Sequence, residues 1–480
     1  MEALECAGVG ACRQYCEALR SQGVAVEIGE AGCNVPAMFT IEQDGIVFDP
    51  KPAEEAIENA ELVEHLGGAL CNILLEHAQD NPEERSVETL IEGYKYVFTT
   101  RFNMWQGMLQ ATREGRNFTD AELAFYEAKV SSAYGLVGEH AGKSDQEAVL
   151  RAHAAADHAT LSEYKLLFDG QMLSTIDRLV SNLMDSKPSL LVGDKGIAKT
   201  QAAKFVAELW EPDKEPIIIS GHGDMMSNEL IGQMEQDKDT RVFAFKEGKL
   251  VKAMREGRPV IIDEVNVGDQ SVVMRLQDIL LRRPGDRIMI QENGGDSIEI
   301  QPGFVVFATA NEASVRYQHR NVLDPAFRDR YDVINLSYPD SDTRNPAQDV
   351  PRSLMRLALA SAVDERGTIS RHIDPAMLER LVRLSHMTQH LYSVPARNAR
   401  LSNFNSGTGQ STSNFLDEEP VMSDCITPRT LVEMVQRCAT GNKPGMSLET
   451  EIERVIVGLD QAGSTSNQSH ARRALMLLQR

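Results

Sequence analysis

The chain has 480 residues, of which 42% are hydrophobic and 25% are charged, and its formal net charge at pH 7 is −22. This composition is typical of a soluble globular protein, and the length predicts two to four domains. No apolar stretch approaches the roughly 18 residues that a membrane helix needs, and the first residues lack the basic and apolar segments of a secretory signal. We therefore expect a cytoplasmic protein that does not enter a membrane.

The negative charge is concentrated in residues 1–165, which carry 28 Asp or Glu against 12 Lys or Arg. The rest of the chain carries 43 against 37 and is nearly balanced. Nucleic-acid binding depends on Lys and Arg that neutralise phosphates, so the acidic region disfavours a nucleic-acid substrate. The acidic surface could bind a basic protein or could simply be solvated.

Residues 1–165 are predicted to form a mainly helical domain of unknown role with a small β-hairpin. Loosely alternating segments with turn residues predict the hairpin near residues 24–49. Apolar residues at helical spacing predict a helix at 62–74 and one or two helices at 87–108. A further, mostly helical stretch contains NFTDAELAFYEAKV and DQEAVLRAHAAADHATLSEY.

The chain has seven cysteines, and most of them occur early: Cys6, Cys12, Cys16, Cys33 and Cys71, followed by Cys425 and Cys438. The first four could bind zinc or an iron–sulfur cluster. Their spacings match no common metal-binding motif, however, and no CxxC pair is present. Reduced thiols in a cytoplasmic protein are the favoured interpretation.

The segment GDKGIAKT at residues 193–200 follows an apolar run and precedes the helical segment QAAKFVAELW. This context predicts a strand, a phosphate loop and a helix, although an ordinary strand–turn–helix shares it. In the reference pattern G-x-x-x-x-G-K-[ST], backbone amides surround the phosphates, the lysine reaches the β- and γ-phosphates, and the hydroxyl binds Mg²⁺. Ala198 replaces the glycine before the lysine. The predicted nucleotide-binding residues are Gly193, Asp194, Lys195, Gly196, Ile197, Ala198, Lys199, Thr200 and Gln201.

A second strand pattern occurs in REGRPVIIDEVN, where an apolar run ends in Asp263 and Glu264. Buried parallel strands are short apolar runs, and ligands bind at their carboxyl ends. We expect Asp263 to hold Mg²⁺ together with Thr200, and Glu264 to polarise the attacking water. The alternative is a buried strand that ends in two solvated acids.

The segment GFVVFATANEAS is a third buried-strand pattern, and it ends in Asn311, a side chain suited to positioning that water. LDPAFRDRYDVINL then supplies Arg328 and Arg330 just before a last strand at 332–336. A single arginine there could be a surface charge. Polar residues at successive strand ends, in this order, indicate one nucleotide site.

Two segments between these strands predict β-hairpins. QMEQDKDTRVFAFKEGKL has a polar centre flanked by chain that is able to pair. RIMIQENGGDSIEIQP has Asn293, Gly294 and Gly295 between two alternating runs, which is a strong hairpin signal. Each hairpin could contact a substrate or could only close a rigid loop.

After residue 339 the pattern is entirely helical. SLMRLALASAV predicts one helix, and Asp374 with Pro375 begins the next. Thr427 and Pro428 begin a third helix, TPRTLVEMVQRC. These helices predict a separate carboxyl-terminal helical domain.

Arg429 lies in the first turn of this third helix, where a cation is unfavourable with the helix dipole. An anionic ligand or a surface ion pair would explain it. Between the second and third helices, residues 402–414 are almost all Ser, Asn, Gly, Thr or Gln. This composition predicts a flexible loop near residues 396–424.

Together these motifs resemble the AAA+ ATPases, and among them the MoxR and dynein-related group. The group shows a G-x-x-G-[IVL]-A-K-[ST] loop, which accommodates Ala198. Its [DE]-L-[IL]-G segment is matched by GHGDMMSNELIG at 221–232, and its F-x-x-G-x-L-x-x-A-x-R-E-G phrase by FAFKEGKLVKAMREGRP at 243–259. Asp194 and Lys195 depart from the small residues or proline that are usual in the loop. The resemblance covers approximately residues 170–480.

The resemblance implies an α/β core with a parallel five-stranded sheet at 170–340 and a helical lid at 341–480. The two hairpins correspond to the helix-2 insert and the pre-sensor hairpin, which face the pore of a ring in this family. Arg330 matches the arginine finger, with Arg328 as the fallback. Arg429 matches the sensor-2 arginine, which contacts the γ-phosphate.

The resemblance also implies ATP hydrolysis with Mg²⁺ and a homo-oligomeric ring, for which six subunits is the family expectation. Members of the group are thought to remodel protein complexes, often during metal-cofactor insertion or complex maturation, beside a partner with a von Willebrand A domain. Two other functions stay open. One is an ATP-dependent scaffold with little turnover, and the other is a nucleic-acid motor related to the nucleotide-driven restriction subunits.

Overall fold

The structure is a computed structural model, and it describes residues 27–28, 32–35, 39–42, 45–48, 84–143, 146–221, 227–236, 243–267, 276–311, 323–338, 351–405, 425–441, 447–452 and 454. The chain divides into two compact units. The first unit extends to Ala159 and includes Val363–Thr368, and the second comprises Thr160–Ala362 and the residues from Ile369 onward. The predicted helix at 62–74 and the side chains of the five early cysteines lie outside the described residues.

The first unit begins with a four-stranded antiparallel sheet in chain order: β1 (Glu27–Ile28), β2 (Gly32–Val35), β3 (Phe39–Glu42) and β4 (Gly45–Phe48). Strands β3 and β4 form a hairpin within the predicted region, and two further strands extend it. The sheet is larger than predicted because Gly29, Pro36 and Asp44 divide this region into four short runs.

Three helices follow in the first unit, as predicted: α1 (Glu84–Arg113), α2 (Asp120–Lys143) and α3 (Gln146–Tyr164), whose last turn belongs to the second unit. Val97 of α1 packs against Ala133 and Val137 of α2. A capping box begins α2, since Thr119 Oγ1 accepts from the amide of Glu122 at 3.1 Å and Glu122 Oε2 accepts from the amide of Thr119 at 2.8 Å.

The second unit contains an α/β core and three further helices. Its core elements are α4 (Gly170–Met184), β5 (Ser189–Val192), α5 (Lys199–Trp210), β6 (Ile217–Ser220), α6 (Ser227–Ile231), β7 (Gly232–Gln236), β8 (Phe243–Glu247), α7 (Lys249–Glu256), β9 (Pro259–Asp263), β10 (Arg287–Ile290), β11 (Asp296–Glu299), β12 (Val305–Ala310), α8 (Pro325–Arg328) and β13 (Asp332–Asn335). The three further helices, called lid helices after the sequence prediction, are α9 (Arg352–Ala362), α10 (Pro375–Asn405) and α11 (Pro428–Ala439).

The core sheet has five parallel strands in the order β13-β5-β12-β9-β6, which confirms the predicted fold class. Every residue of β5 and β12 is buried, as expected for strands covered on both faces. The register places Val192 level with Ala310 and with Asn335. The carboxyl ends of these strands therefore meet at one edge, where the predicted site residues occur.

Both predicted hairpins of the core are present. Strand β7 pairs with β8, and β10 pairs with β11, each antiparallel. Gly294 and Gly295 have φ values of +65° and +89°, which suit the tight turn that the sequence predicts. The hairpins expose large apolar side chains: Met234 is 49%, Phe243 is 63% and Met289 is 60% exposed.

The lid helices form their own core, in which Leu354, Leu381 and Leu431 are fully buried. Helix α10 continues to Asn405, so the loop predicted to start at residue 396 was placed too early. The segment ARNARL contains good helix formers, which outweigh the polar residues that follow. Residues 406–424 of the predicted loop lie outside the described residues. No described helix has the combination of length and apolar character needed to cross a membrane.

Candidate nucleotide-binding site

The segment 193–198 connects β5 to α5, where the sequence predicts a phosphate loop. Two of its positions require glycine. A Cβ atom on Gly193 would lie 2.3 Å from the carbonyl oxygen of Leu336, and one on Gly196 would lie 2.7 Å from the side chain of Thr427. Gly196 also has a φ of +76°, which glycine adopts without strain. The loop is therefore enclosed by the segment after β13 and by the residue that caps α11.

Ala198 occupies the position of the replaced glycine, and its φ is +63°. This left-handed backbone costs alanine about 1–2 kcal/mol, which explains why glycine is usual there. Among the described residues, none accepts a hydrogen bond from the amide of Gly196, Ile197 or Ala198. Free amides at the amino end of a helix bind anions because the helix dipole places partial positive charge there.

Lys199 is the first residue of α5, and its side chain is buried. Its ammonium donates to the carbonyl oxygens of Gly193 at 2.9 Å and Asp194 at 2.6 Å, and to Oδ1 of Asn311 at 2.7 Å. These acceptors can satisfy all three donors of the ammonium group. A phosphate that binds Lys199 must therefore replace at least one of them.

Asp263 ends β9, and its Oδ1 accepts hydrogen bonds from the hydroxyls of Thr200 and Thr309, each at 2.6 Å. No Lys, Arg or His within the described part of the chain forms an ion pair with this carboxylate. The hydroxyls leave its negative charge unneutralised. Since Mg²⁺ prefers oxygen ligands, the oxygens of Thr200 and Asp263 fit the metal role that the sequence predicts.

Glu264 has a φ of +55°, a strained value for a residue with a side chain. Its amide donates to Oγ1 of Thr309 at 3.0 Å, and its Oε1 accepts from Nδ2 of Asn311 at 3.1 Å. Asn311 is buried and also accepts from Lys199. Lys199, Asn311 and Glu264 thus form one continuous chain of hydrogen bonds between the loop and the predicted water-polarising carboxylate.

Thr309 is a candidate functional residue that the sequence analysis missed. It is 1% exposed in β12, and its hydroxyl contacts both the carboxylate of Asp263 and the amide of Glu264. Its carbonyl oxygen also accepts from the amide of Val265 at 2.9 Å. A signal was present, because Thr309 lies two residues before Asn311 in an otherwise apolar run, and alternate residues of a strand share a face.

A cavity of about 310 Å³ opens beside the loop, within the second unit. Gly196, Ile197, Ala198 and Gln201 line its loop side, and Gln201 is held by a hydrogen bond from Nε2 to the carbonyl of Tyr164 at 2.9 Å. The apolar wall was not predicted from the sequence, and it includes Leu161, Leu167, Met172, Leu357 and Val432. The lining also contains the cations Lys165 and Arg429 and the carboxylates Asp169 and Glu433, so the cavity offers a ligand both apolar surface and charged groups.

Arg429 lines the same cavity as the phosphate loop. It lies in the first turn of α11, where Thr427 Oγ1 accepts from the amide of Thr430 at 3.1 Å and caps the helix as predicted. Its side chain is exposed. The structure therefore brings Arg429 to the predicted site, with its guanidinium accessible to a ligand.

Arg328 and Arg330 lie at the other edge of the sheet. They precede β13, whose first residue Asp332 is level with Ser189, the first residue of β5. A four-residue strand spans about 10 Å, so the length of β5 separates these arginines from the phosphate loop of their own chain. Arg328 is exposed, and Nη1 of Arg330 donates to the carbonyl of Ala326 at 2.7 Å. The structure does not bring either arginine to the site of the same chain.

Comparison with known proteins finds similarities that lie in the core. Residues 188–331 match the family described as AAA domain (dynein-related subfamily). The chain is 27% identical to a midasin from Giardia intestinalis over 231 residues, which are 48% of this chain and 4% of the midasin. It is 28% identical to an uncharacterised protein of Staphylococcus aureus strain USA300 over 173 residues, which are 35% of this chain and 63% of that protein. The matches thus span less than two thirds of either relative.

A solved structure of a candidate ATPase from Cytophaga hutchinsonii also aligns with this chain. The alignment covers 65% of this chain and 96% of the other, with 16% identity and a TM-score of 0.30.

Proposed function

We propose that the chain, whose residues 188–331 match the dynein-related AAA family, hydrolyses ATP with Mg²⁺ in order to remodel protein complexes. The observation that supports hydrolysis most strongly is the arrangement at the carboxyl edge of the sheet. There, free loop amides and a buried lysine adjoin two consecutive carboxylates that hydroxyl and amide groups hold in place.

The loop amides and Lys199 bind the phosphates of ATP in this proposal. Thr200 and Asp263 hold Mg²⁺, which when bound neutralises charge on the phosphate oxygens. A phosphate oxygen replaces Asn311 as an acceptor of Lys199. The amide oxygen of Asn311 is then free to accept from a water, while Nδ2 still holds Glu264. Glu264 accepts a proton from this water as it attacks the γ-phosphate in line, the bond from the γ-phosphorus to the bridging oxygen breaks, and ADP leaves with that oxygen.

The cavity beside the loop receives the adenosine part of ATP. Its apolar wall packs against the base, and Arg429 approaches the phosphates from the lid. Since the loop residues and Arg429 line one cavity, closure of the lid on ATP would place the guanidinium near the γ-phosphate. Such closure excludes water and couples the nucleotide state to movement of the lid.

The arginines at the amino edge support a ring. Arg330, or Arg328, is too far from its own phosphate loop to act there, so either one would complete the site of a neighbouring subunit. In enzymes where it has been measured, an arginine supplied by a second protein or subunit increases kcat by roughly 10³- to 10⁵-fold. Head-to-tail contacts form a ring when the rotation between subunits closes, and we propose a closed ring of six subunits from the family resemblance.

The proposed substrates are protein complexes. The two hairpins expose large apolar side chains, which favours contact with a polypeptide. A hairpin that only connects two elements does not require such side chains at its surface. The acidity of the chain disfavours a nucleic-acid motor. Metal-cofactor insertion or complex maturation, beside a von Willebrand A domain partner, is the specific role that the MoxR resemblance suggests. The cytoplasm is the proposed location.

An ATP-dependent scaffold with little turnover is a second candidate. The favouring observation is that the ammonium of Lys199 is already satisfied by three acceptors and that Asn311 holds Glu264. A site so completely hydrogen-bonded could bind ATP, assemble and hydrolyse slowly.

The test is steady-state ATPase activity of the wild type beside Glu264→Gln and Lys199→Ala. We expect Glu264→Gln to lower kcat by about 10²–10⁴ because the proton acceptor is lost, while ATP binding and assembly persist. Lys199→Ala should lose ATP binding itself. Tight ATP binding by a wild type without turnover would favour the scaffold, and absence of ATP binding would reject both functions.

A further inference from the structure

Tyr338 lies after β13, and its side chain is buried beside the phosphate loop. Its hydroxyl donates to the carbonyl oxygen of Lys195 at 3.0 Å and lies 3.5 Å from Sγ of Cys425. Since the only hydroxyl proton is directed at the carbonyl, the thiol of Cys425 donates to the phenol oxygen. Burial raises the pKa of Tyr338, so the phenol stays protonated at neutral pH. The hydroxyl therefore joins the loop to the segment that precedes α11.

The contacted carbonyl belongs to the peptide unit between Lys195 and Gly196. In a trans peptide the C=O and N–H bonds point in opposite directions. A hydroxyl that holds the carbonyl of Lys195 therefore also fixes the direction of the amide of Gly196. This amide has no acceptor among the described residues, and Gly196 lines the cavity of the candidate site.

The lid restrains the same peptide unit from its other end. A Cβ atom on Gly196 would lie 2.7 Å from both Cβ and Oγ1 of Thr427, so the glycine backbone lies directly against the residue that caps α11. Gly196 has a φ of +76°, and this close approach leaves room for no other residue. The orientation of this amide thus depends on Tyr338 on one side and on the lid on the other.

The segment that contains Cys425 and Thr427 is itself fixed to the lid. The backbone carbonyl of Ile426 accepts from Ser385 Oγ at 2.9 Å and from Gln389 Nε2 at 2.8 Å, and its amide donates to Thr388 Oγ1 at 3.1 Å. All three side chains belong to α10 and are buried. A continuous set of contacts therefore runs from the loop carbonyl through the phenol to the body of the lid.

We propose that Tyr338 is a positioning residue of the ATP site, whose hydroxyl directs the amide of Gly196 at a phosphate and couples this orientation to the docking of the lid. The proposal rests on the ATP-binding function proposed above.

The test compares Tyr338→Phe with wild type. The ring and its packing are kept, and only the hydroxyl is lost. We expect the KM for ATP and the Kd for ADP to rise about 3- to 10-fold, the value of one hydrogen bond, while kcat at saturating ATP stays unchanged. With ADP bound, when the amide of Gly196 has a phosphate as its acceptor, hydrogen exchange of the loop peptide containing Gly196 should become faster than in wild type, and the unfolding temperature should change little.

The matched control is Tyr331→Phe. Tyr331 is also buried in the second unit, but its hydroxyl has no hydrogen-bond partner among the described residues. This variant removes the same atom and should leave the KM for ATP and loop exchange unchanged. Cys425→Ala gives a second, milder test, since it removes the thiol donor but keeps the phenol. It should shift KM in the same direction by less, and Cys425→Ser should restore the wild-type value.

Three results would overturn the proposal: unchanged ADP affinity in Tyr338→Phe, an equal loss in Tyr331→Phe, or a loss of kcat at constant KM. These outcomes require a wild type that binds ATP. A wild type that binds no ATP would instead overturn the proposed function, and this inference with it, so the two failures are distinguishable.

Discussion

Each edge of the parallel sheet carries an aspartate that neighbouring elements hold, but only one of them is paired with cations. At the amino edge, Asp332 accepts from Arg178 at 2.7 Å, and Nζ of Lys187 lies 3.6 Å away. At the carboxyl edge, Asp263 accepts from two threonine hydroxyls and forms no ion pair within the described residues. Within the described residues, the chain neutralises the first aspartate with cations and surrounds the second with hydroxyl donors only.

The pKa of Asp332 agrees with a structural role. Partial burial works to raise it, but hydrogen bonds from Asn182 and Arg178, together with the charges of Arg178 and Lys187, outweigh burial and hold the pKa of this carboxyl below its usual value. Asn182 also donates to Ser189 Oγ at 2.9 Å, so the network joins α4 to the first residue of β5. The amino edge thus stabilises the sheet.

The largest expected effect comes from Asp263→Asn. If Asp263 holds Mg²⁺ as proposed, loss of its carboxylate should lower ATP turnover by at least about 100-fold, since metal stabilisation of the transition state is worth several kcal/mol. The free energy of unfolding should not fall, because the substitution removes an unneutralised charge. ATPase assays over a range of Mg²⁺, with urea unfolding beside them, measure both. A protein that is strongly destabilised would show that Asp263 is structural after all.

Thr309→Val should have the next largest effect. The isosteric change deletes the hydroxyl that contacts Asp263 and Glu264. Since this removes a hydrogen bond to a charged group, the Mg²⁺ concentration needed for activity should rise and kcat should fall, each by about 10- to 100-fold. Thr309→Ser keeps the hydroxyl and should retain most activity. Equal losses in the two variants would mean that packing, and not the hydroxyl, matters at this position.

Asp332→Asn is the counterpart of Asp263→Asn at the opposite edge. It should lower the free energy of unfolding by about 1 kcal/mol, a small value because Arg178 and Lys187 are half exposed and water screens them. The affinity for ATP should stay unchanged. Urea unfolding and nucleotide titration of this variant test the assignment of roles to the two edges. Weaker ATP binding with normal stability would contradict the structural role of Asp332.

The smallest expected effect is the pH dependence of the difference in free energy of unfolding between wild type and Asp332→Asn. Since the pKa of Asp332 is lowered in the folded state, its contribution is fully present above the unfolded pKa near 4 and is lost as pH falls through the folded value. The difference in free energy of unfolding between wild type and Asp332→Asn should therefore be constant near neutral pH and become smaller below about pH 4. A stability difference that becomes larger in acid would contradict the structural role assigned to Asp332.

Much of the fold could be predicted because its signals are local. Short apolar runs identify β5, β9 and β12, and the turn residues Asn293 to Gly295 identify the β10–β11 hairpin. The end of α10 could not be read in the same way. Its last residues are polar, and their composition alone does not distinguish a helix from a loop.

The candidate site was predictable where residues follow a strand end and not where distant segments meet. Glu264 and Asn311 were found because each follows a buried strand, and their contact follows from the parallel register. Thr309 was missed because it lies inside a strand. The approach of Thr427 to Gly196 depends on how the lid packs, and that of Tyr338 to the loop depends on the path of the chain after β13; no local pattern encodes either one.

The central claim is that the carboxyl edge hydrolyses ATP with an arginine from a neighbouring amino edge, and subunit mixing tests it most directly. Arg330→Ala and Glu264→Gln proteins, each inactive alone, are mixed in equal amounts under conditions of subunit exchange. If the arginine acts between subunits, about a quarter of the sites in random rings pair an intact Glu264 with an intact Arg330, and activity returns in that proportion. Mixed rings that stay inactive would contradict the account.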